Sequence, residues 1–241
     1  MMREAGRITK NALIVGGKLV RPGITTAEID AAIERYIRSE GAKPSFKGYA
    51  GFPASACISV NDEVIHGIPG KRKIHDGDIV SIDVGAIHEG YHGDCAATFM
   101  AGTVSAEAKA LIEVTRQCFY EGIKYARVGY RISDISHAVQ VYAEKHGYSV
   151  VRSYVGHGVG AQLHESPEVP NFGAPGRGAR LVAGMTIAVE PMINIGTFDV
   201  RVLDNEWTVV TEDGSLSAHY ENTILITDGD PEILTAGEED I

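Results

Sequence analysis

The stretch IVSIDVGAIHEGYHGDCAATFM (79–100) decides the fold. Two apolar, strand-like runs flank the turn-forming triplet HEG (88–90), and each run carries one carboxylate, Asp83 in the first and Asp94 in the second. The midpoint between the aspartates falls between His88 and Glu89, so a hairpin folded there sets the two carboxylates opposite each other. Cross-strand neighbours on one face stand roughly 4.5 to 5.5 Å apart at Cβ, and like charges held so close destabilise the pair unless something neutralises them. A bound cation is the natural neutraliser. A lone Asp in a strand more commonly faces solvent, so the case for a site rests on the rest of the chain.

Working outward toward the N-terminus, CISV (57–60) reads as another strand, and two helices precede it. Ile8, Ala12, Val15 and Leu19 recur at helical spacing until Arg21, Pro22 and Gly23 end the pattern. Thr25 with Glu28 three residues on is a capping-box signature, and Ile29, Ile33, Tyr36 and Ile37 supply an apolar face before Gly41. On the other side of the hairpin, Ser105 to about Arg127 is helical again, with Leu111, Thr115, Cys118 and Gly122 on one side. The second half then repeats the first. GITTAEIDAAIERYIRSEG (23–41) aligns without a gap on GYRISDISHAVQVYAEKHG (129–147), and at nearly the same offset GDIVSIDV (77–84) falls on GMTIAVEP (184–191), placing Asp83 on Glu190. HGIP (66–69) echoes HESP (164–167). The period is too long for a solenoid, so two related halves, about 1–104 and 105–241, are expected to form a single catalytic domain with a site at their interface. Their strands would make one sheet with helices over its outer face.

Composition narrows the class. With 241 residues and 44% hydrophobic content the chain can bury a full core. No apolar stretch approaches the roughly 20 residues of a membrane span, and the opening MMREAGRITK is charged where a signal peptide would be apolar. Three cysteines without zinc-site spacing suit reduced thiols, and the expectation is a cytoplasmic protein. A net charge of −10 argues against a nucleic-acid partner, which needs clustered Lys and Arg.

Later in the chain stand His157 in GHGVG, His164 in LHESP, Glu190 in TIAVEPM and Glu221 in SAHYENTILIT. A His in a Gly-rich loop is commonly a turn or core residue, and a strand Glu can face solvent. Here, however, apolar neighbours such as Ile187, Val189, Ile224 and Leu225 surround the glutamates, and Glu is seldom buried unpaired. Asp83, Asp94, Glu190 and Glu221 together carry four negative charges, which two divalent cations balance, while a neutral His157 adds a ligand at no charge. Oxygen-rich ligation with one nitrogen suits manganese, iron(II), cobalt or zinc. Two such ions side by side serve hydrolysis.

GHGVGAQLHESP (156–167), TIAVEP (186–191), YENTILIT (220–227), SVNDEVIHGIPG (59–70) and the strand pair IDVG with YHGDCAATF together resemble the type I methionine aminopeptidases of the pita-bread metallopeptidase family. The resemblance spans essentially the whole chain and preserves motif order. It implies an α+β pita-bread fold with pseudo-twofold related halves, a curved and mainly antiparallel sheet, and helices on the outer face. It further implies that Asp83, Asp94, His157, Glu190 and Glu221 ligate two divalent ions, with Asp94 and Glu221 bridging. Glu190 would also act as general base, and His66 and His164 would contact substrate and the tetrahedral intermediate. Tyr49, Phe52, Cys57, His66, Leu163 and Trp207 would line a methionine pocket, which suits a thioether's preference for an apolar, aromatic lining. Phe46 stands where some relatives have cysteine and His219 where some have an uncharged amide, differences that bear on pocket width and metal affinity. The short interval from His164 to Glu190 leaves no room for the inserted domain of type II relatives, and the lack of a leading extension is bacterial in style. The expected partners are peptide and nascent-protein N-termini, with transient ribosome contact, from a monomer. The rival readings are a prolidase or Xaa-Pro aminopeptidase with the same five ligands, and a metal-free binding module on this fold.

Overall fold

A computed structural model describes residues 1–237. α1 (Met2–Leu19) buries Ile8, Ala12 and Leu13. Gly16, rather than the half-buried Val15, completes its stripe, because α2 crosses there: a Cβ on Gly16 would stand 2.7 Å from Ile33 Cδ1. α2 (Thr26–Ser39) starts on the expected capping box, with Glu28 N donating to Thr25 Oγ1 at 3.3 Å and Thr25 N donating to Glu28 Oε2 at 2.9 Å. α3 (Ala106–Ile123) is capped by Ser105, and α4 (Ile132–Lys145) follows it. α2 and α4 are both 14 residues long. Each begins shortly after a glycine in the left-handed region, Gly23 (φ 92°) and Gly129 (φ 101°). The repeat in the sequence is thus a repeat of structure.

Seven strands bear on the site: β1 (Ala56–Val60), β2 (Ile79–His88), β3 (Tyr91–Met100), β4 (Gly156–Gly158), β5 (Thr186–Val189), β6 (Ser217–His219) and β7 (Glu221–Leu225). The main sheet is antiparallel throughout, running from the short strand Lys43–Pro44 through β2, β3, β7, β5 and β4 to Glu165–Val169. β1 also pairs with β2. β3 and β7 therefore meet at the centre, one from each half. Alternation sorts the two faces of β2: Val80, Ile82, Val84 and Ala86 join Ile8, Ile29 and Ile33 in the helical core, leaving Ser81, Asp83 and Gly85 on the opposite face. The other half packs Phe119 and Ile135 against Ile187, Val189 and Ile224 in the same manner.

The hairpin corrects one expectation. His88 pairs with Tyr91, so the turn residues are Glu89 and Gly90, with φ of 49° and 84°. Positive φ at both central positions is the type I′ geometry that matches strand twist, and Gly90 supplies it without steric cost. The hairpin centre therefore lies one residue later than between His88 and Glu89. Asp83 faces Ala96 and Asp94 faces Gly85, so the aspartates are diagonal neighbours on one face rather than directly opposed. Gly85 has its own reason to lack a side chain, since a Cβ there would stand 2.7 Å from Ser45 Cβ and 2.8 Å from Phe46.

Candidate metal centre

Strand register assembles the floor of the site. Cys57 pairs with Asp83, Asp83 with Ala96, and Ala96 with Glu221, one row across β1, β2, β3 and β7. Residues directly opposite in a sheet share a face, and Asp94 joins that face two positions along β3. Glu190 directly follows β5, whose Val189 pairs with Asn222. The small Ala96 leaves room between the flanking carboxylates. Across the central seam Thr223 holds the Asp94 backbone twice, accepting from Asp94 N at 3.0 Å and donating to Asp94 O at 2.8 Å.

Two imidazoles flank this floor. His157, on β4, donates Nδ1–H to the Gly158 carbonyl at 2.8 Å, since a carbonyl oxygen can only accept. That bond fixes the tautomer and leaves a lone pair on Nε2, which lies 3.7 Å from Asp94 Oδ2 and 3.5 Å from Glu190 Oε1. His219, at the end of β6, puts Nε2 3.6 Å from Glu221 Oε2 and 3.9 Å from Glu190 Oε2. Burial and mutual repulsion disfavour charge on every carboxylate. Asp83 is pushed up to about 7 by desolvation, partly opposed by a hydrogen bond with Asp94. Desolvation, then the neighbouring carboxylates, raise Asp94, Glu190 and Glu221 well above the ordinary range. Desolvation lowers His157 to about 4, with His164 adding to the effect.

The donor set fits metal ions on a direct observation. Asp83 Oδ1, Asp94 Oδ1, Glu221 Oε1 and His219 Nε2 are all buried without a hydrogen-bond partner. Each such atom costs about 1–3 kcal/mol, more if charged, unless something coordinates it. The atoms fall into two groups sharing Glu221: Asp94, His157 and Glu221, and Asp83, His219 and Glu221, with ligand atoms in each group within 4.8 Å of one another. Four of the five expected ligands lie in these groups. Glu190 stands just outside them, beside His157.

Above the floor opens a cavity of about 260 Å³ lined by every expected site residue: Tyr49, Phe52, Cys57, His66, Asp83, Asp94, His157, Leu163, His164, Glu190, Trp207 and Glu221. Phe46, Phe52, Cys57 and Leu163 form one buried cluster, with Trp207 packed on it edge-to-face with Phe52 at 5.1 Å. The Cys57 thiol beside Asp83 is raised well above its ordinary pKa, by burial first, so it stays a neutral hydrophobe. His66 sits in the left-handed region (φ 58°), perpendicular to the Tyr154 ring at 5.8 Å, and burial holds its pKa down to about 4. His164, at the exposed mouth, bonds through Nδ1 to the Tyr49 hydroxyl at 2.7 Å and packs on His157 with ring centroids 4.2 Å apart. Ile65, Tyr154 and Val155 also line the cavity and were missed from sequence. Tyr154 and Val155 immediately precede GHG (156–158), the one signal that could have found them.

Residues 1–228 match Metallopeptidase family M24, and the chain belongs to that family. Within it, the chain is similar to methionine aminopeptidases. It is 56% identical over 238 residues to the methionine aminopeptidase of Clostridium acetobutylicum, covering 98% of this chain and 95% of that protein. It superposes on the crystal structure of methionine aminopeptidase from Rickettsia prowazekii with a TM-score of 0.96 at 42% identity, covering 98% and 95% of the two chains. A prolidase from Pyrococcus furiosus shares the fold, with a TM-score of 0.79 at 22% identity, and the match spans 98% of this chain but 63% of the prolidase. The pita-bread fold stands, with helices on one face of the antiparallel sheet and the carboxylates on the other.

Proposed function

We propose that this protein hydrolyses the peptide bond after an N-terminal methionine when the second residue is small, using two divalent cations held by Asp83, Asp94, His157, Glu190 and Glu221. The observation that carries this reading is the joining, in one cavity, of a floor of partnerless carboxylate oxygens with an apolar, aromatic wall. High identity to methionine aminopeptidases supports the substrate. Cobalt, manganese, iron(II) and zinc would all suit these donors, and Asp94 and Glu221 would be among the carboxylates that hold them.

Bound ions supply Lewis-acid polarisation of the scissile carbonyl and a lowered pKa for the attacking water. Glu190 takes the water's proton at its carboxylate and passes it to the leaving amine. The Tyr49 hydroxyl pairs with His164 Nδ1 at 2.7 Å; in the tautomer that serves the reaction the hydroxyl donates, and the ring's Nε2–H is offered to the developing oxyanion. His66, kept neutral by burial, is the second donor. Phe52, Cys57, Leu163 and Trp207 receive the methionine side chain, and Phe46 closes one side. The next residue is then held against the rim near His164 and Tyr49, where a branched or charged group meets steric or desolvation cost.

The two halves act as one catalytic unit and as a monomer, on nascent-protein and peptide N-termini in the cytoplasm, with transient ribosome contact and no nucleic-acid or membrane partner. No helix among the described residues is long and apolar enough to cross a membrane. Metal-stripped protein, resupplied with each ion in turn, tests the reading through kcat/KM for Met-Ala-Ser, Met-Lys-Ser, Leu-Ala-Ser and Ala-Pro-Ser. Met-Ala-Ser is expected to lead by roughly 10²-fold, the ratio about 3 kcal/mol produces. A lead for Ala-Pro-Ser hands the protein to the Xaa-Pro peptidases, and indifference to the first residue removes the methionine pocket.

A further inference from the structure

His219 takes no part in lining the cavity; it lies beneath the carboxylates, with only 2% of its surface exposed. Its backbone is pinned by Thr98, whose hydroxyl accepts from His219 N at 3.0 Å and donates to His219 O at 2.9 Å. The ring is therefore placed where β6, a strand of a separate smaller sheet, meets β3 of the main sheet. Its Nε2 faces three carboxylates, Asp83, Glu190 and Glu221, and makes no hydrogen bond.

We propose that His219 is itself a metal ligand, its Nε2 completing an ion site with Asp83 and Glu221, so that each of the two cations carries one imidazole. This rests on reading the cluster as a two-ion centre and adds a sixth side chain to it. Distance separates ligation from hydrogen bonding. The Nε2 contacts of 3.6 and 3.9 Å are too long for a hydrogen bond, which needs about 2.7–3.2 Å. They match the 3.5 and 3.7 Å by which His157 Nε2 stands off its own carboxylates. Ligands about 2.0–2.2 Å from a shared ion stand roughly 3–3.5 Å apart, so both imidazoles are placed as partners of a common ion would be. As ionised carboxylates Asp83 and Glu221 only accept, so a lone pair on Nε2 facing them is repulsive without a cation and useful with one. A nitrogen in place of an all-oxygen set also moves this position away from manganese toward cobalt, iron(II) or zinc.

The test titrates chelator-stripped protein with cobalt(II) at pH 7.5 by calorimetry, and records proton NMR of the loaded protein in water, where ligating imidazoles show paramagnetically shifted, exchangeable N–H signals. Wild type should bind two ions and show two such signals. His219→Gln should bind one ion as before, lose at least 10-fold in affinity for the other, and retain a single signal. Crystals of the cobalt-loaded wild type supply a readout independent of any variant: an anomalous peak at bonding distance from His219 Nε2. Two bound ions with one shifted signal, no anomalous peak at Nε2, or unchanged affinities in a folded His219→Gln protein would overturn the assignment and leave the two-ion reading intact. Fewer than two ions in the wild type would overturn both.

Discussion

Asp83, Asp94, Glu190 and Glu221 are carried on or directly beside strands of one sheet, whereas Phe46, Tyr49, Phe52, Leu163 and Trp207 hang on segments between strands. The carboxylates obey the pseudo-twofold, two from each half around the β3–β7 seam. The aromatic wall has no such symmetry, drawing on residues 46–57 of the first half and on single positions, Leu163 and Trp207, of the second. The two regions also differ in how they reach stability. The wall satisfies itself by packing: its core side chains are buried and touch one another. The floor is frustrated by itself, with partnerless oxygens and carboxyl groups whose pKa values burial raises. Paired strands thus carry the carboxylates, and the connections between strands carry most of the aromatic wall.

The comparison breaks most visibly if ions are removed. Chelation should abolish peptidase activity and lower the melting temperature while leaving the far-UV circular dichroism of a folded protein, because the helical cores do not include the floor. Unfolding on chelation would show that the floor, not the wall and cores, holds the molecule together. Next in size, Glu190→Gln should reduce kcat about 10²- to 10⁴-fold with little rise in KM, measured with metal content confirmed. His164→Ala and His66→Ala should each cost on the order of 10²- to 10³-fold in kcat; near-normal turnover would return either residue to a purely structural role.

The wall sharpens the contrast from its own side. Phe52→Ala opens space beneath Trp207, and truncating a buried Phe costs about 3–5 kcal/mol. It should raise KM for Met-Ala-Ser and narrow its advantage over Leu-Ala-Ser, with the affinity for ions unchanged by calorimetry. The smallest effect concerns His66 and pH. A base whose folded pKa lies near 4 and whose unfolded pKa is about 6.5 takes its proton first in the unfolded state. Stability is therefore unaffected above pH 6.5 and falls as pH drops toward 4. Between pH 7 and pH 5 the loss from this group is up to about 2 kcal/mol. Urea unfolding of metal-stripped wild type and His66→Gln at both pH values should show the variant less acid-sensitive by that amount, and equal sensitivity would count against a buried, neutral His66.

Local signals were the legible ones. The Thr25–Glu28 cap and the helical stripes are written in nearby residues, the internal repeat in a likeness between 23–41 and 129–147, and each points to a helix that forms. The expected ligand and pocket residues were found through motifs, and the structure brings them into one cavity without testing what each does there. What escaped depended on geometry between elements. The aspartates are diagonal because a type I′ turn centres on Glu89–Gly90, a one-residue matter of backbone φ. Gly16 outranks Val15 because another helix crosses there. His219 was noticed as a departure, but its place under Asp83 and Glu221 follows from β6 meeting β3 at Thr98, a long-range contact with no trace in SAHYE (217–221).

The Thr223 hydroxyl that grips Asp94 from across the seam joins residues 129 positions apart. Asp94 is made early and Glu221 and Thr223 late, so a chain emerging from the ribosome carries its first acidic pair exposed, without the strand that must lie between the halves. The carboxylate floor is complete only once β7 lies beside β3. Completion of the site is thereby deferred to the last part of the chain, a delay enforced by topology.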